Sequence, residues 1–525
     1  PRPRPHQHPI RMDVAMWDAT DVPGQLLDMP DTLLTHVLCH LEAFAEVAAC
    51  RCCCARLGAL AGDDEVWAHL CVAQFGLREP RPPPSVGDGL PCTSFREAAR
   101  AWAAFASSLR LDKFRDTDGK LSTLAPSTIA AAETWAKLER WCSLNLRELG
   151  ATLAPPATQA AWDSFEATVV GPAPTEAVRR ALLPLRLITS LHDGQDLRYD
   201  LLTAAPSGAI EVDDETLLAL SEDTDDAVLN RQRSLGLLGG YSAYDIHVSS
   251  RLYPLQLMAG WTCLLRRRMP LFGPSHVVIG ASFDLSKHIC LDLDTGQVLI
   301  GGLQRERLAP VSALPLARPG GTGDTGALLA WLGEYASRLS AGEFGAADLV
   351  PLSPITRGIS LMPRAGLRCA TAVTRGIEVA ASAVHAHEHG SVIYSLRIRI
   401  LKEGEAGYED PSQRGYDTAQ LRSRHWIIRS AGRVPEEVRG PGVIGKYPLL
   451  QVGGWRDDEQ DRSGNVRPGK ECQGAFVYQS MSEPNDSFEG QLLFVPGSLV
   501  EPTGPPFPVT VARFPLVRGS DEWAF

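Results

Sequence analysis

Gly440, Gly442 and Gly445, in RGPGVIGKYP, spell G-x-G-x-x-G, the spacing of a loop that cradles a dinucleotide pyrophosphate. That chemistry needs a strand before the loop and a helix directly after it, because the helix N-terminus supplies the amides and the dipole that hold the phosphates. Here KYPLLQVGGW follows, and Pro448 with Gly453-Gly454 leaves no usable helix. The redox reading falls. The glycines are better suited to a tight inter-strand loop that takes positive φ and lies close to a neighbouring strand. Arg422, Arg424 and His425 stand nearby in sequence as a basic cluster able to hold an anion or an acidic peptide, although Arg stems also simply cover sheets.

Other residues could carry chemistry by type. His385, His387 and His389 alternate, so in a strand they would share one face and could ligate a metal, but Gly390 follows and a polar turn is the commoner reason for such a run. Cys50 and Cys52 with His36 and His40 contain no C-x-x-C pair, and free Cys is more often a small buried hydrophobe than a zinc ligand. His192-Asp193 and Asp245-x-His247 are the remaining polar clusters, and no Ser or Cys nucleophile can be placed beside either from sequence. The expectation is a chain with no catalytic residue, no metal and no cofactor.

These candidates sit in 525 residues, too long for one core and enough for about three domains. Hydrophobic residues make up 44% and charged residues 22%, a globular balance. A formal charge of −11 speaks against nucleic acid as the main partner, since that needs a basic footprint. No apolar run is long enough for a membrane-spanning helix. The start, PRPRPHQHPIR, reads as disordered, and without an initiator Met the chain is expected to be a fragment or to have an imprecise start. Twelve cysteines, four of them crowded at Cys50, Cys52, Cys53 and Cys54, do not read as a disulfide framework, so a reduced cytosolic or nuclear setting is expected.

In the first 80 residues Pro30 suits a first helical turn, and Leu34, Val37, Leu38 and Leu41 recur at i, i+3, i+4, i+7. A second helical run covers Phe44 to Leu60, and a third opens at Val66-Trp67. After a Pro-rich breaker, SFREAARAWAAFASSLRLDKF reads as a packing helix. From Trp135 helical and strand signals mix: an amphipathic run places Trp135, Leu138, Trp141, Leu144 and Leu149 on one side, and Asp-Thr-Gly joins KHICLDL and QVLIGG as a hairpin. Asp213-Asp214-Glu215 and Glu222 to Asp226 form an acidic run that reads as a solvated loop. VPLSPITRGISLMPRAG reads as irregular linker, and beyond it short β-branched and aromatic strands without intervening helices argue a two-sheet β-sandwich.

Three resemblances follow. Met29-Pro30, the aliphatic stripe, Val47, Cys53-Cys54, Leu57 and the Asp64-Glu65-Val66-Trp67 ending resemble an F-box, the all-α module that docks on the Skp adaptor. Glu166 with Pro174 to Val178, LHDGQDL at 191–197 and GLLGGYSAYDIHVSSRLYPL at 236–255 resemble the SUKH (Smi/Knr-type) superfamily, an α+β fold of mostly interaction modules. QLRSRHWII from Gln420, Gly432-Arg433-Val434, GPGVIG from Gly440, Phe476-Val477-Tyr478 and Phe488-Glu489-Gly490 resemble the ApaG domain, an all-β fibronectin-type sandwich with suggested phosphate-compound binding and no agreed catalytic residues. An insertion at about 455–472 departs from that pattern.

The order resembles the F-box/ApaG substrate-receptor family. It implies a disordered start at 1–24, an F-box at 25–78, a Pro-rich loop and helical linker at 79–134, a SUKH-like domain at 135–348, a linker at 349–369, ApaG at 370–518 and a tail at 519–525. It further implies a non-catalytic subunit of an SCF ubiquitin ligase: adaptor docking through Met29, Pro30, Leu34, Val37, Leu38, Leu41, Val47, Leu57 and Trp67, with cullin and RING protein reached through the adaptor. Protein substrates would be bound by the later domains, Arg422, Arg424, His425, Gly440, Gly442 and Gly445 forming a partner or anion loop. The alternatives are an ApaG-based phosphate or nucleotide binder and a scaffold that ubiquitylates nothing.

Overall fold

The computed structural model describes residues 27–525 apart from 42, 85–91, 117, 173, 196–232, 303–304, 313–325, 352, 354–355, 461–465, 468 and 518–522. The Pro-Arg start, the acidic runs at 213–226 and the end of LHDGQDL lie outside the described residues. The chain divides into two compact units, residues 1–126 and 127–525.

The first unit is helical: α1 (Asp31–Cys39), α2 (Phe44–Cys53), α3 (Ala55–Leu60), α4 (Asp64–Phe75) and α5 (Phe95–Ser108), then a 3-10 turn at Leu111–Phe114. The expected single run from Phe44 to Leu60 breaks at Cys54, which is extended (φ −158°, ψ 165°) and whose thiol accepts the Leu57 amide at 3.5 Å. A capping side chain thus restarts the helix. Asp63 caps α4 through the Glu65 amide at 3.0 Å, and Gly76 ends it in the left-handed region. Phe44 stacks on Trp67 with centroids 6.0 Å apart, and the Trp67 indole donates to Ala61 O at 3.1 Å.

In the second unit α6 (Leu124–Asn145), α7 (Arg147–Gly150), α8 (Gln159–Val169), α9 (Glu176–Thr189), α10 (Leu255–Arg268) and α11 (Ala327–Ser340) accompany a sheet. Its strands are β1 (Gly240–Ala243), β2 (Ile246–Leu252), β3 (His276–Ser282), β4 (His288–Asp292), β5 (Val298–Gly301), β6 (Ala309–Pro310), β7 (Gly345–Asp348) and β8 (Arg357–Ser360), in the order β6-β5-β4-β3-β2-β1-β8-β7. Every neighbour is antiparallel except β1 and β8. β8 corrects the linker expectation: residues 357–360 leave the irregular stretch to complete the sheet, with Ile359 fully buried. Leu144 corrects the amphipathic run. It is 73% exposed while Trp135, Leu138, Trp141 and Leu149 are buried, because successive i+3 steps drift about 60° and the fourth member reaches the far side of a 3.6-residue helix.

The sandwich follows as β9 (Cys369–Thr374), β10 (Ile377–Ala386), β11 (Ser391–Ile400), the single turn α12 (Pro411–Arg414), β12 (Ala419–Arg429), β13 (Glu436–Pro441), β14 (Leu449–Gln451), β15 (Gly454–Arg456), β16 (Glu459–Gln460), β17 (Val466–Arg467), β18 (Glu471–Gln473), β19 (Phe476–Ser482), β20 (Asn485–Pro496) and β21 (Phe507–Leu516). One sheet runs β19-β11-β10-β9. The other runs β18-β15-β14-β12-β20-β21, with β13 also paired to β12. Inward side chains alternate along β10 and β11, and Tyr394, Trp426, Phe488 and Phe514 meet between the sheets.

The middle domain and the sandwich meet over buried charge. Tyr241 donates to Glu388 Oε1 at 2.5 Å, and Lys287 Nζ reaches Tyr241 Oη at 3.2 Å and the main-chain oxygen of Phe525. All three side chains are buried; burial lowers the Lys287 pKa, and burial followed by the Glu388 charge pushes the Tyr241 phenol well up. Residues 523–525 are therefore not a loose tail: Trp523 pairs with Ser312, and Ala524 and Phe525 are buried.

Candidate functional site

Two surfaces gather the residues singled out by sequence. The first is α1. Leu34, Leu38, Val47, Leu57 and Trp67 are buried within the helical unit itself, so they build the module rather than offer a face to a partner. Met29 and Leu41 are half-buried and Pro30 is exposed. What remains outside is Leu27 at 40% exposure, Leu33 at 52% and Val37 at 41%. Leu33 and Val37 are four apart and so share one side of the helix, about 100° around from the buried pair Leu34 and Leu38. Arg56 fixes the approach to this helix: it pairs with Asp31 at 2.7 Å and donates to the main-chain oxygens of Leu27 and of Met29, the latter at 2.6 Å. Leu27 and Leu33 escaped the sequence reading because a periodic stripe marks what packs, and the residues beside it carry no separate signal.

The second surface is an open cleft of about 840 Å³ on the sandwich, lined by Arg422, Arg424, His425, Arg439, Gly440 and Gln491 among others. The pairing of β12 with β20 shifts register between Leu421 and Ser423, so Arg422 is the extra residue of a bulge and stands exposed at the cleft. Arg424 does something else. Its Nη1 donates to Pro441 O at 2.9 Å and Gly442 O at 2.7 Å, holding the glycine loop from beneath. His425 Nε2 and Arg439 Nη2 each lie 3.0 Å from Glu437 Oε2, and these two neighbours hold the Glu437 carboxyl below its usual range. The basic cluster is thus partly engaged by the neighbouring strand β13 and its loop.

The loop after β13 turns back through a Val443–Lys446 bridge into β14, and no helix follows. Gly442 (φ +50°) is required, since a Cβ there would lie 2.5 Å from Lys446 O, whereas Gly445 (φ +77°) sits at an open tip. Gly440 lies under the Arg424 guanidinium, where a Cβ would come within 3.2 Å.

The other candidates separate. Among 385–389 only His385 belongs to a strand, and only the rings of His385 and His387 approach, 4.3 Å apart. The metal-type group of three among the described residues is instead Cys39, Glu65 and His69. His192 contacts Glu139 (2.7 Å) and Ala154 O (3.0 Å), and Asp193 caps α10 by accepting the Leu255 amide at 2.9 Å; burial raises its pKa. His247 lies 3.3 Å from the Ser234 hydroxyl, but Ser234 is fully buried, and burial lowers the His247 pKa. Asp245 is at an exposed hairpin tip. All twelve cysteines are free.

Two family models match: the ApaG domain over residues 383–455, in the antiparallel two-sheet sandwich with this glycine loop, and the F-box domain over 26–69, in the small helical module with an uncovered aliphatic edge. The chain belongs to the ApaG family, being 33% identical over 153 residues to Protein ApaG of Anaeromyxobacter dehalogenans, which covers 28% of this chain and 94% of that protein. Protein ApaG of Brucella anthropi is 38% identical over 87 residues, 16% of this chain and 58% of that protein. Over nearly its whole length the chain is similar to F-box protein SKIP16 of Arabidopsis thaliana, 29% identical across 502 residues, 92% of this chain and 97% of that protein.

Proposed function

We propose that this chain is the substrate-recognition subunit of an SCF-type ubiquitin ligase. It docks on a Skp-type adaptor through the helical module, reaches cullin and RING protein through that adaptor, and binds protein targets with its middle domain, SUKH-like in its landmarks, and its sandwich. The observation that carries the reading is the aliphatic edge of α1: Leu33 and Val37 stay exposed on a module that matches the F-box. Such an edge is costly unless a partner covers it. The ubiquitin chemistry then belongs to other subunits, and this chain contributes proximity by raising the local concentration of target lysines. The reading places the protein in cytoplasm or nucleus; no described helix is long and apolar enough to cross a membrane.

The test is capture of a purified Skp-type adaptor by the full chain. Leu33→Asp with Val37→Asp should weaken capture by at least about 100-fold while leaving the melting transition in place. A folded double variant that captures the adaptor fully overturns the reading. Leu38→Asp would not serve, because Leu38 is core.

A second reading is favoured by the exposed Arg422 on its bulge beside Arg439: the cleft binds a phosphate-bearing small molecule. Calorimetry of the full chain with pyrophosphate should then give saturable heat that Arg422→Ala with Arg439→Ala removes. Heat unchanged in that variant, or none in the parent, eliminates the role.

A further inference from the structure

The last described residues occupy a built groove. Trp523 bridges Ser312 in antiparallel fashion, the Ala524 amide donates to Val311 O at 2.7 Å, and the Trp331 indole donates to Ala524 O at 2.8 Å. The Phe525 ring enters a cage. Its centroid lies 5.3 Å from Tyr335, 5.8 Å from Phe344 and 6.1 Å from Trp331, and the Arg338 guanidinium stands 5.5 Å over it. Trp331 and Tyr335 are fully buried, and Tyr335 is fixed by donating to Leu237 O at 2.7 Å, so the cage is rigid.

The segment does not fill its site. A cavity of about 390 Å³ continues beside it along the line where the middle domain, the stretch 361–368 and the sandwich meet, walled by Leu361, Val384, Pro515, Trp523 and Phe525. Leu367 stands at the same cavity, 86% exposed. An apolar pocket at a domain seam, with a few fixed polar groups and an uncovered leucine, is the usual form of a ligand site. Main-chain pairing beside a side-chain pocket is how an extended peptide is read.

We propose that this seam is a receptor for an extended segment of a protein target: main-chain pairing along Val311–Ser312, an aromatic side chain in the Trp331–Tyr335–Phe344 cage, and further apolar contact at Leu367. Residues 523–525 hold the site in cis and must yield to the target. The chemistry of the occupant is that of the resident segment, an aromatic residue preceded by a small one in extended backbone. The proposal deepens the substrate-receptor reading and rests on it, assigning target selection to the seam rather than to the basic cleft.

The experiment uses a fluorescein-labelled synthetic peptide, RGSDEWAF, added in trans to the full chain and followed by anisotropy. A chain carrying Trp523→Ala and Phe525→Ala should bind it at least about ten-fold more tightly than the parent, because the cis occupant has lost its aromatic anchors and competes less well. Adding Leu367→Asp, at an exposed position, should cancel most of that gain. Should the double variant not fold, Trp523→Ala alone carries the comparison, since Trp523 is only half-buried. Equal affinity for parent and vacated chain, no binding to the vacated chain, or equal binding of a scrambled peptide overturns the proposal. Adaptor capture is measured on the same preparations: its loss with peptide binding intact sinks the receptor reading and not the groove, and the converse sinks the groove alone.

Discussion

In the sandwich, Tyr394, Trp426, Phe488 and Phe514 close on one another from both sheets, whereas in the helical module Leu27, Leu33 and Val37 stay at the surface. The sandwich packs its aromatics inward and sets charge outside, with Arg422 on a bulge. The module buries only one side of α1 and leaves hydrocarbon at its surface. The same residue class is therefore sealed in a core in one region and left uncovered in the other.

The sharpest way to break this contrast is in the sandwich core. Trp426→Ala should cost about 3–5 kcal/mol by chemical denaturation, the usual range for a truncated core aromatic, with adaptor capture unchanged below the transition. Capture falling in step with stability would show that the two regions are not separate in this sense.

His288 extends the contrast to the middle domain, where a polar ring is sealed in. It is 1% exposed, neither ring nitrogen has a hydrogen-bond partner among the described residues, and burial takes its pKa down to about 4 against a slight opposing pull from Asp284. The unfolded chain therefore takes up the proton first. Stability present above the unfolded value near 6.5 is lost as pH falls towards 4, by roughly 3 kcal/mol. His288→Leu should flatten that part of the stability–pH curve, measured by denaturant midpoints from pH 7 to pH 4; an unchanged slope would show that other groups set it. The smallest effect belongs to the opposite pole of the comparison: Leu33→Asp with Val37→Asp, for all its effect on docking, should move stability by no more than about 0.5 kcal/mol. A larger loss would mean that α1 packs that edge on its own unit.

Much of this was legible in the order of residues. Alternation along GIEVAASAVH and SVIYSLRIRI marks the inward face, so the strands of the sandwich follow from the sequence, as does the absence of a helix directly after Gly445; that Ile393 and Ser395 on the other face are buried as well does not. The α1 periodicity finds Leu34 and Leu38 correctly as a stripe but does not say which apolar neighbours are left over, because that depends on what α3 and α4 cover. Arg422 and Arg424 read alike in sequence. A one-residue register shift turns the first to the cleft, and the second is consumed by loop carbonyls. The Tyr241–Glu388 hydrogen bond and the Phe525 cage join residues more than a hundred positions apart, and no local pattern carries such a contact.

β8 has a topological consequence. Both the strand before the sandwich (Arg357–Ser360) and the segment after it (Trp523–Phe525) belong to the middle domain's packing. The sandwich is thus spliced into its neighbour, entered and left through the same host. A cut between 349 and 356 would hand β8 to the wrong half, and a cut between Ser360 and Cys369 would still strip the host of its closing aromatic. The host comes away whole only when residues on both sides of the sandwich are kept and rejoined across the gap.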